Sequence, residues 1–196
     1  MNFFKKLYQS YQKSSNDKLI NEQEVNLSLD DSFVHNFINK GGKFLYCTSM
    51  DEVSINLIQI LQENNWKEVT CSDFNLLKIT RKTGTYIHEK HSKSTPFFTS
   101  CEHLIANNGD ILFSSNQLGS EKLPSHSENF IVYATTSQLV KNMSEGLTGI
   151  KAHFSGNIPT NISSITNYKI EVEDESFLSY GNSNSKNLYL LLFEDL

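Results

Sequence analysis

The 196-residue chain lacks the sequence features that mark several large classes of protein. Its three cysteines, Cys47, Cys71 and Cys101, are far apart and form no Cys-x-x-Cys pair, so the usual spacing of zinc and iron–sulfur sites is missing. No run of 18 apolar residues occurs, as a membrane-spanning helix would require. The formal net charge is −5, whereas nucleic-acid binding requires a basic surface. We therefore expect no metal, no cofactor, no nucleic acid and no membrane, and a reduced, cytoplasmic setting.

Apolar residues make up 38% of the chain and are gathered in short runs between polar connections. Strand-like runs alternate with stretches of helical spacing, a pattern typical of a parallel sheet with helical crossovers. This predicts an α/β fold with a mainly parallel sheet flanked by helices. The predicted strands cover residues 43–47, 67–71, 130–134 and 187–193, and the predicted helices cover 30–40, 50–63, a segment after Asp73, and 142–154.

The chain is divided into two parts by its composition. Residues 1–28 carry an apolar stripe at helical spacing followed by a polar stretch, which predicts a helical leader and a linker. Residues 29–196 are long enough to form one domain. Residues 81–94 are polar and are interpreted as an excursion, and the alternation in 169–174 predicts an edge strand.

A tight turn is predicted in the middle of the chain, where Asn107, Asn108 and Gly109 separate two apolar runs. Asn and Gly tolerate positive φ, so this pattern favours a β-hairpin. The alternative is that the amides and backbone N–H groups of the turn contact a ligand.

A series of short segments occurs in a fixed order along the chain. At its centre are Glu102, Ala106 and Gly109. The other segments are Gly41-Gly42-Lys43-Phe44, Ile111 with Ser114-Ser115, Leu123-Pro124, Thr136-Ser137-Gln138-Leu139-Val140 and Leu188-Tyr189-Leu190-Leu191-Leu192. In this order the segments resemble the pattern of the LUD domain, the lactate-utilisation family, over roughly residues 33–196.

This resemblance implies a fold of the type shared by ribose-phosphate isomerases and CoA-transferases. It also implies a subunit or accessory role in oxidation of lactate to pyruvate, beside iron–sulfur partner proteins, with a small anionic ligand. Three features depart from the family pattern. Asn107 replaces an acidic residue, and Glu121 and Lys122 stand where an arginine commonly precedes Leu-Pro. The acidic stretch 166–175 replaces a Gly-Pro-Ser loop suited to holding an anion.

Polar residues near the ends of the predicted strands are the candidates for the site, because open α/β sheets bind ligands at strand ends. Hydroxyls and amides suit an anion, but turn formation, helix capping and a solvated lysine explain the same residues. Glu102 and His103 are the candidate acid–base residues, although neighbours in a strand point to opposite faces. The candidate ligand-binding residues are Asn107, Asn108, Gly109, Ser114, Ser115, Asn116, Lys122, Thr136 and Ser137.

Three hypotheses about function follow from these patterns. The first is a lactate-utilisation subunit or accessory. The second is an isomerase or transferase acting on an anionic metabolite, which the shared fold permits. The third is a non-catalytic binding module that has lost the family's acidic residue and anion loop. A homodimer is compatible with all three.

Overall fold

The computed structural model describes residues 27–88, 93–168 and 185–195. The predicted leader and nearly all of its linker, the predicted edge strand 169–174 and most of the acidic stretch 166–175 lie outside these ranges. No helix in the described ranges is long and apolar enough to cross a membrane.

A six-stranded sheet forms the centre of the domain, and every neighbouring pair of its strands is parallel. Its strand order is β1-β10-β7-β4-β2-β3, so the predicted mainly parallel α/β fold is confirmed. The polar stretch 81–94 contributes the short edge strand β3 in addition to a connection. The six strands are β1 (Lys43–Cys47), β2 (Glu68–Thr70), β3 (Tyr86–His88), β4 (Phe97–Ser100), β7 (Asn129–Thr135) and β10 (Asn187–Phe193).

A second, smaller sheet carries the predicted hairpin. Strands β5 and β6 pair antiparallel on either side of the turn, which confirms the hairpin. The hairpin extends this separate sheet, of order β8-β5-β6-β9, and does not join the central one. Its strands are β5 (His103–Ile105), β6 (Asp110–Phe113), β8 (Leu139–Val140) and β9 (Ser163–Ile165).

Five α-helices surround the sheets in the described residues, and side chains satisfy the free N–H groups at their starts. Ser49 caps α2 by accepting from the N–H of Glu52, and Asp73 caps α3 by accepting from Asn75 and Leu76. The helices are α1 (Leu29–Asn39), α2 (Met50–Glu63), α3 (Phe74–Arg81), α4 (Ser115–Leu118) and α5 (Met143–His153).

The central sheet is buried on both faces, so its strands are almost continuously apolar. Alternate residues of β10 enter different cores. Leu188, Leu190 and Leu192 belong to the core that also contains α1 and the hairpin, whereas Leu191 belongs to the core that contains α2 and α3. The domain therefore has helices on one face of the sheet and α1 with the small sheet on the other.

Candidate functional site

The carboxyl ends of the six parallel strands define one edge of the central sheet, which we call the carboxyl edge. Connections diverge between β2 and β4, because β2 leads through α3 to β3 whereas β4 leads through the hairpin to β7. Ligands of open α/β sheets bind outside such a divergence point. Here Ser100 Oγ donates to Asp73 Oδ2 at 2.9 Å, which joins the ends of the two strands.

Glu102 is the centre of the polar groups that follow β4. Its Oε1 accepts from Ser114 Oγ at 2.5 Å and from Asn116 Nδ2 at 2.9 Å. Ser114 is fully buried and caps α4, so its hydroxyl fixes the carboxylate and is not presented to a ligand. Ser115 is linked to Thr160, whose N–H donates to Ser115 Oγ at 3.0 Å. We call Glu102, Ser114, Ser115 and Asn116 the Glu102 cluster.

Gln138 ties the end of β4 to the end of β7. Its Nε2 donates to the carbonyl of Cys101 at 2.5 Å and to that of Glu102 at 3.2 Å. Its Oε1 accepts from the N–H of Thr135 at 2.8 Å. Because one amide bridges both strand ends, the backbone that carries Glu102 is held in place.

The carboxylate of Asp195 accepts hydrogen bonds from the hydroxyl groups that follow β7. It accepts from Thr136 Oγ1 at 2.6 Å, from the N–H of Ser137 at 3.0 Å and from Ser137 Oγ at 2.6 Å. Burial alone would raise the pKa of Asp195, but the donors of Ser137, Thr136 and Thr135 outweigh it and hold the pKa well below its usual range. Thr136 and Ser137 therefore lie at the carboxyl edge as predicted, with their hydroxyls already donating to a carboxylate.

We expect Asp195→Asn to reduce stability at neutral pH, by an amount that shrinks as the pH falls below about 4 and vanishes only below the folded pKa. A carboxyl group whose pKa is lowered by folding stabilises the protein above its unfolded pKa of about 3.9, and this contribution disappears as the pH falls through the folded value. Urea unfolding at pH 7 and at several values from about pH 4 down to about pH 1.5, at low salt, measures the difference between wild type and variant. Glu63→Gln is the control, because it removes one exposed carboxylate at the end of α2 that makes no hydrogen bond within the described ranges. A difference independent of pH would contradict this role for Asp195.

The turn residues Asn107, Asn108 and Gly109 lie at the opposite end of the hairpin from Glu102. The four residue-to-residue steps from Glu102 to Ala106 correspond to about 13 Å of extended chain, so the structure does not bring the turn to the Glu102 cluster. The turn instead packs on α1 and its neighbours. Tyr168 Oη donates to the carbonyl of Gly109 at 2.6 Å, Asn36 Nδ2 donates to that of Ala106 at 2.9 Å, and Asn108 Nδ2 donates to Asp110 Oδ2 at 2.7 Å.

His103 and Lys122 also lie apart from the Glu102 carboxylate. His103 Nδ1 lies 3.3 Å from the carbonyl oxygen of Gln138, and its ring packs against Gly149 of α5. The side chains of Glu102 and His103 therefore contact different parts of the structure, as expected of neighbouring residues near a strand. Lys122 is exposed in the connection between α4 and β7, and its ammonium makes no hydrogen bond or ion pair in the described part of the chain.

Three residues of this edge were not among the sequence candidates. Gln138 stands three residues after Thr135 in a capping-box spacing, which is the one local signal that points to it. Asp73 is recognisable as a helix cap, but its bond to Ser100 spans 27 residues. Asp195 meets Ser137 across 58 residues, and no local pattern indicates such a contact.

Among the described residues, the carboxyl edge offers hydrogen-bond acceptors and neutral donors. Burial raises the pKa of each cysteine thiol, to about 11 for Cys71, so thiolates are scarce at neutral pH. In the described ranges no group of three His, Cys, Asp or Glu side chains is placed to hold a metal ion. This arrangement suits the binding of a small hydroxylated molecule.

Known proteins give two points of comparison. The profile of the LUD domain matches residues 31–193, which is most of the chain. The crystal structure of a DUF162 family protein from Deinococcus radiodurans superposes with a TM-score of 0.60 at 13% identity, covering 86% of this chain and 99% of that one, and so shows a shared fold. No curated protein sequence matches the chain significantly. The profile match shows that this chain belongs to the LUD domain family.

Proposed function

We propose that the chain is an accessory subunit in lactate oxidation that binds a small 2-hydroxycarboxylate, such as lactate, at the Glu102 cluster. Membership of the LUD domain family relates it to lactate utilisation in general. The observation that carries the finer proposal is the fixed Glu102 carboxylate at the end of β4, where Ser114 and Asn116 hold one oxygen. Its second oxygen, Oε2, makes no hydrogen bond within the described ranges and is a ready acceptor for a ligand hydroxyl.

Neighbouring groups supply donors for the ligand carboxylate. The Asn116 amide has two N–H groups and gives one of them to Glu102, which leaves the other for a ligand. The Ser115 hydroxyl accepts from Thr160 and keeps its own hydrogen available. A hydroxyl and a carboxylate on adjacent carbons match this pairing of an acceptor with two donors.

The surrounding charge weakens such binding. Glu102, Asp73 and Asp195 all lie at the carboxyl edge and repel a carboxylate. Salt screens exposed charges over about 8–10 Å near physiological ionic strength, so added salt strengthens binding under this proposal. The opposite salt dependence is expected of a site built from lysine or arginine.

Oxidation of lactate to pyruvate releases two electrons, so the reaction requires an acceptor. The sequence has no cysteine pattern for an iron–sulfur cluster, and we propose that iron–sulfur partner proteins receive the electrons. The chain would then present or sense the substrate. A non-catalytic binding module is the second candidate, favoured because Ser114, Thr136 and Ser137 already donate to the chain's own carboxylates.

The proposal predicts that lactate binds more tightly than propionate, which lacks the hydroxyl, and that Glu102→Gln removes this preference. Neutral glutamine is a weaker acceptor than a carboxylate. We therefore expect the ratio of lactate affinity to propionate affinity to fall about five- to tenfold in the variant. Isothermal titration of the purified chain measures both ligands, and Glu63→Gln is the charge-matched control. Equal affinity of the wild type for lactate and propionate would contradict the assigned role of Glu102.

Lactate oxidation itself separates the two candidate functions. Copurification with iron–sulfur proteins, together with lactate-dependent reduction of their clusters, supports the accessory subunit. Lactate binding without either result supports the binding module.

A further inference from the structure

The edge opposite the Glu102 cluster carries a concavity of about 270 Å³ that the proposed function does not use. This amino edge, where the parallel strands begin, contains the end of α2, the start of β2 and the turn between α3 and β3. The volume is close to the lower end of the roughly 300–1,000 Å³ of small-molecule sites. The lining residues are Ile58, Leu61, Gln62, Asn65, Trp66, Lys67, Thr83 and Thr85.

Trp66 gives the concavity an aromatic wall. Its half-buried ring stands edge-on to Tyr189, with centroids 6.1 Å apart and planes at 86°. Tyr189 is itself held by Asn64 Nδ2, which donates to its Oη at 3.0 Å, and by Lys43, whose Nζ lies 4.2 Å from the ring centroid. These contacts fix the indole, and a fixed aromatic face suits stacking with a planar ring.

Lys67 supplies a positive charge at the same place. Its side chain is exposed, and its ammonium forms no ion pair or hydrogen bond among the described residues. The nearby Glu68 already pairs with His88, with 3.0 Å between Oε2 and Nε2. The side-chain amides of Gln62 and Asn65 add neutral donors to the rim.

A helix C-terminus carries partial negative charge on its free carbonyl groups, which would repel an anion. At the end of α2 these carbonyl groups are occupied. The carbonyl of Ile60 accepts from the N–H of Asn64, that of Leu61 from Trp66, and that of Gln62 from Asn65. With these carbonyls satisfied, the donors of Lys67 and of the two amides determine what the rim prefers.

We propose that the amino-edge concavity binds a planar ring carrying a phosphate group, as in a mononucleotide. The ring stacks on Trp66 and the phosphate contacts Lys67. This site is independent of the Glu102 cluster and of lactate.

Trp66 is the only tryptophan of the chain, so its fluorescence reports on this concavity directly. We expect AMP to change the emission with a saturable curve, and adenosine and inorganic phosphate, which each supply half of the ligand, to bind at least about tenfold more weakly. Lys67→Met, which keeps the apolar stem and removes the charge, should weaken AMP binding at least about tenfold. Lys151→Met, an exposed lysine of α5, and Glu102→Gln should leave it unchanged.

The proposal is overturned if AMP gives no saturable change in the wild type, or if Lys67→Met binds AMP as well as the wild type does. Equal affinities for adenosine and AMP would show that the phosphate contributes nothing to binding, and would also overturn the proposal. Loss of the preference for lactate over propionate in Glu102→Gln, with AMP binding intact, shows that the two sites are separate.

Discussion

Gly109→Ala is expected to destabilise the domain by about 2–5 kcal/mol. Gly109 has φ +71°, and a Cβ there would lie 2.5 Å from the backbone nitrogen of Phe37. The left-handed conformation costs about 1–2 kcal/mol for a residue with a Cβ, and overpacking typically adds about 1–3 kcal/mol. Urea unfolding of wild type and variant measures the loss.

Gly84→Ala is a matched control for the prediction at Gly109. Gly84 also has φ +71°, but no atom lies within 4 Å of the position of a Cβ. We expect it to lose only the conformational part, about 1–2 kcal/mol. Equal losses at the two glycines would show that the hairpin turn does not pack against α1.

Phe130→Ala is expected to cost about 3–5 kcal/mol, the usual range for removing a buried phenylalanine. Phe130 is fully buried in β7, and its ring meets those of Phe97 at 5.3 Å and Phe113 at 6.0 Å between centroids. The cavity would therefore open where the central sheet meets the hairpin. A loss of this size lowers the melting temperature by roughly 6–20 °C in a domain of this length.

Phe74→Ala is the control for Phe130→Ala, because Phe74 is 71% exposed at the start of α3. Its ring contacts Lys78, whose Nζ lies 4.8 Å from the centroid, so we expect a loss below about 1 kcal/mol. If calorimetry gave similar losses for both variants, β7 would not be the centre of the core.

Much of the fold could be predicted from the sequence because local patterns determine it. The apolar runs 43–47 and 187–193 are bounded by polar residues and are strands with the same limits in the structure. The helix 50–63 is bounded by Ser49, which caps its start, and by Asn64 at its end. The hairpin follows from the conformational freedom of Asn and Gly.

The arrangement of the site was less predictable, since it depends on contacts between distant segments. Periodicity does not say which sheet a hairpin joins, so the distance between the turn and Glu102 follows from the tertiary fold alone. The hydroxyls of Thr136 and Ser137 indicate either capping or ligand binding, and the deciding neighbour, Asp195, is 58 residues from Ser137. Long-range hydrogen bonds of this kind leave no local signature.

The most direct test of the proposed function is a titration of the ¹⁵N-labelled chain with lactate, followed by two-dimensional NMR. We predict saturable shifts of the signals of Glu102, Ser115, Asn116 and Gln138, and none for Gly109 or the Trp66 indole. Shifts confined to residues outside the carboxyl edge, or no shift at any lactate concentration, would contradict the placement of the ligand at the Glu102 cluster.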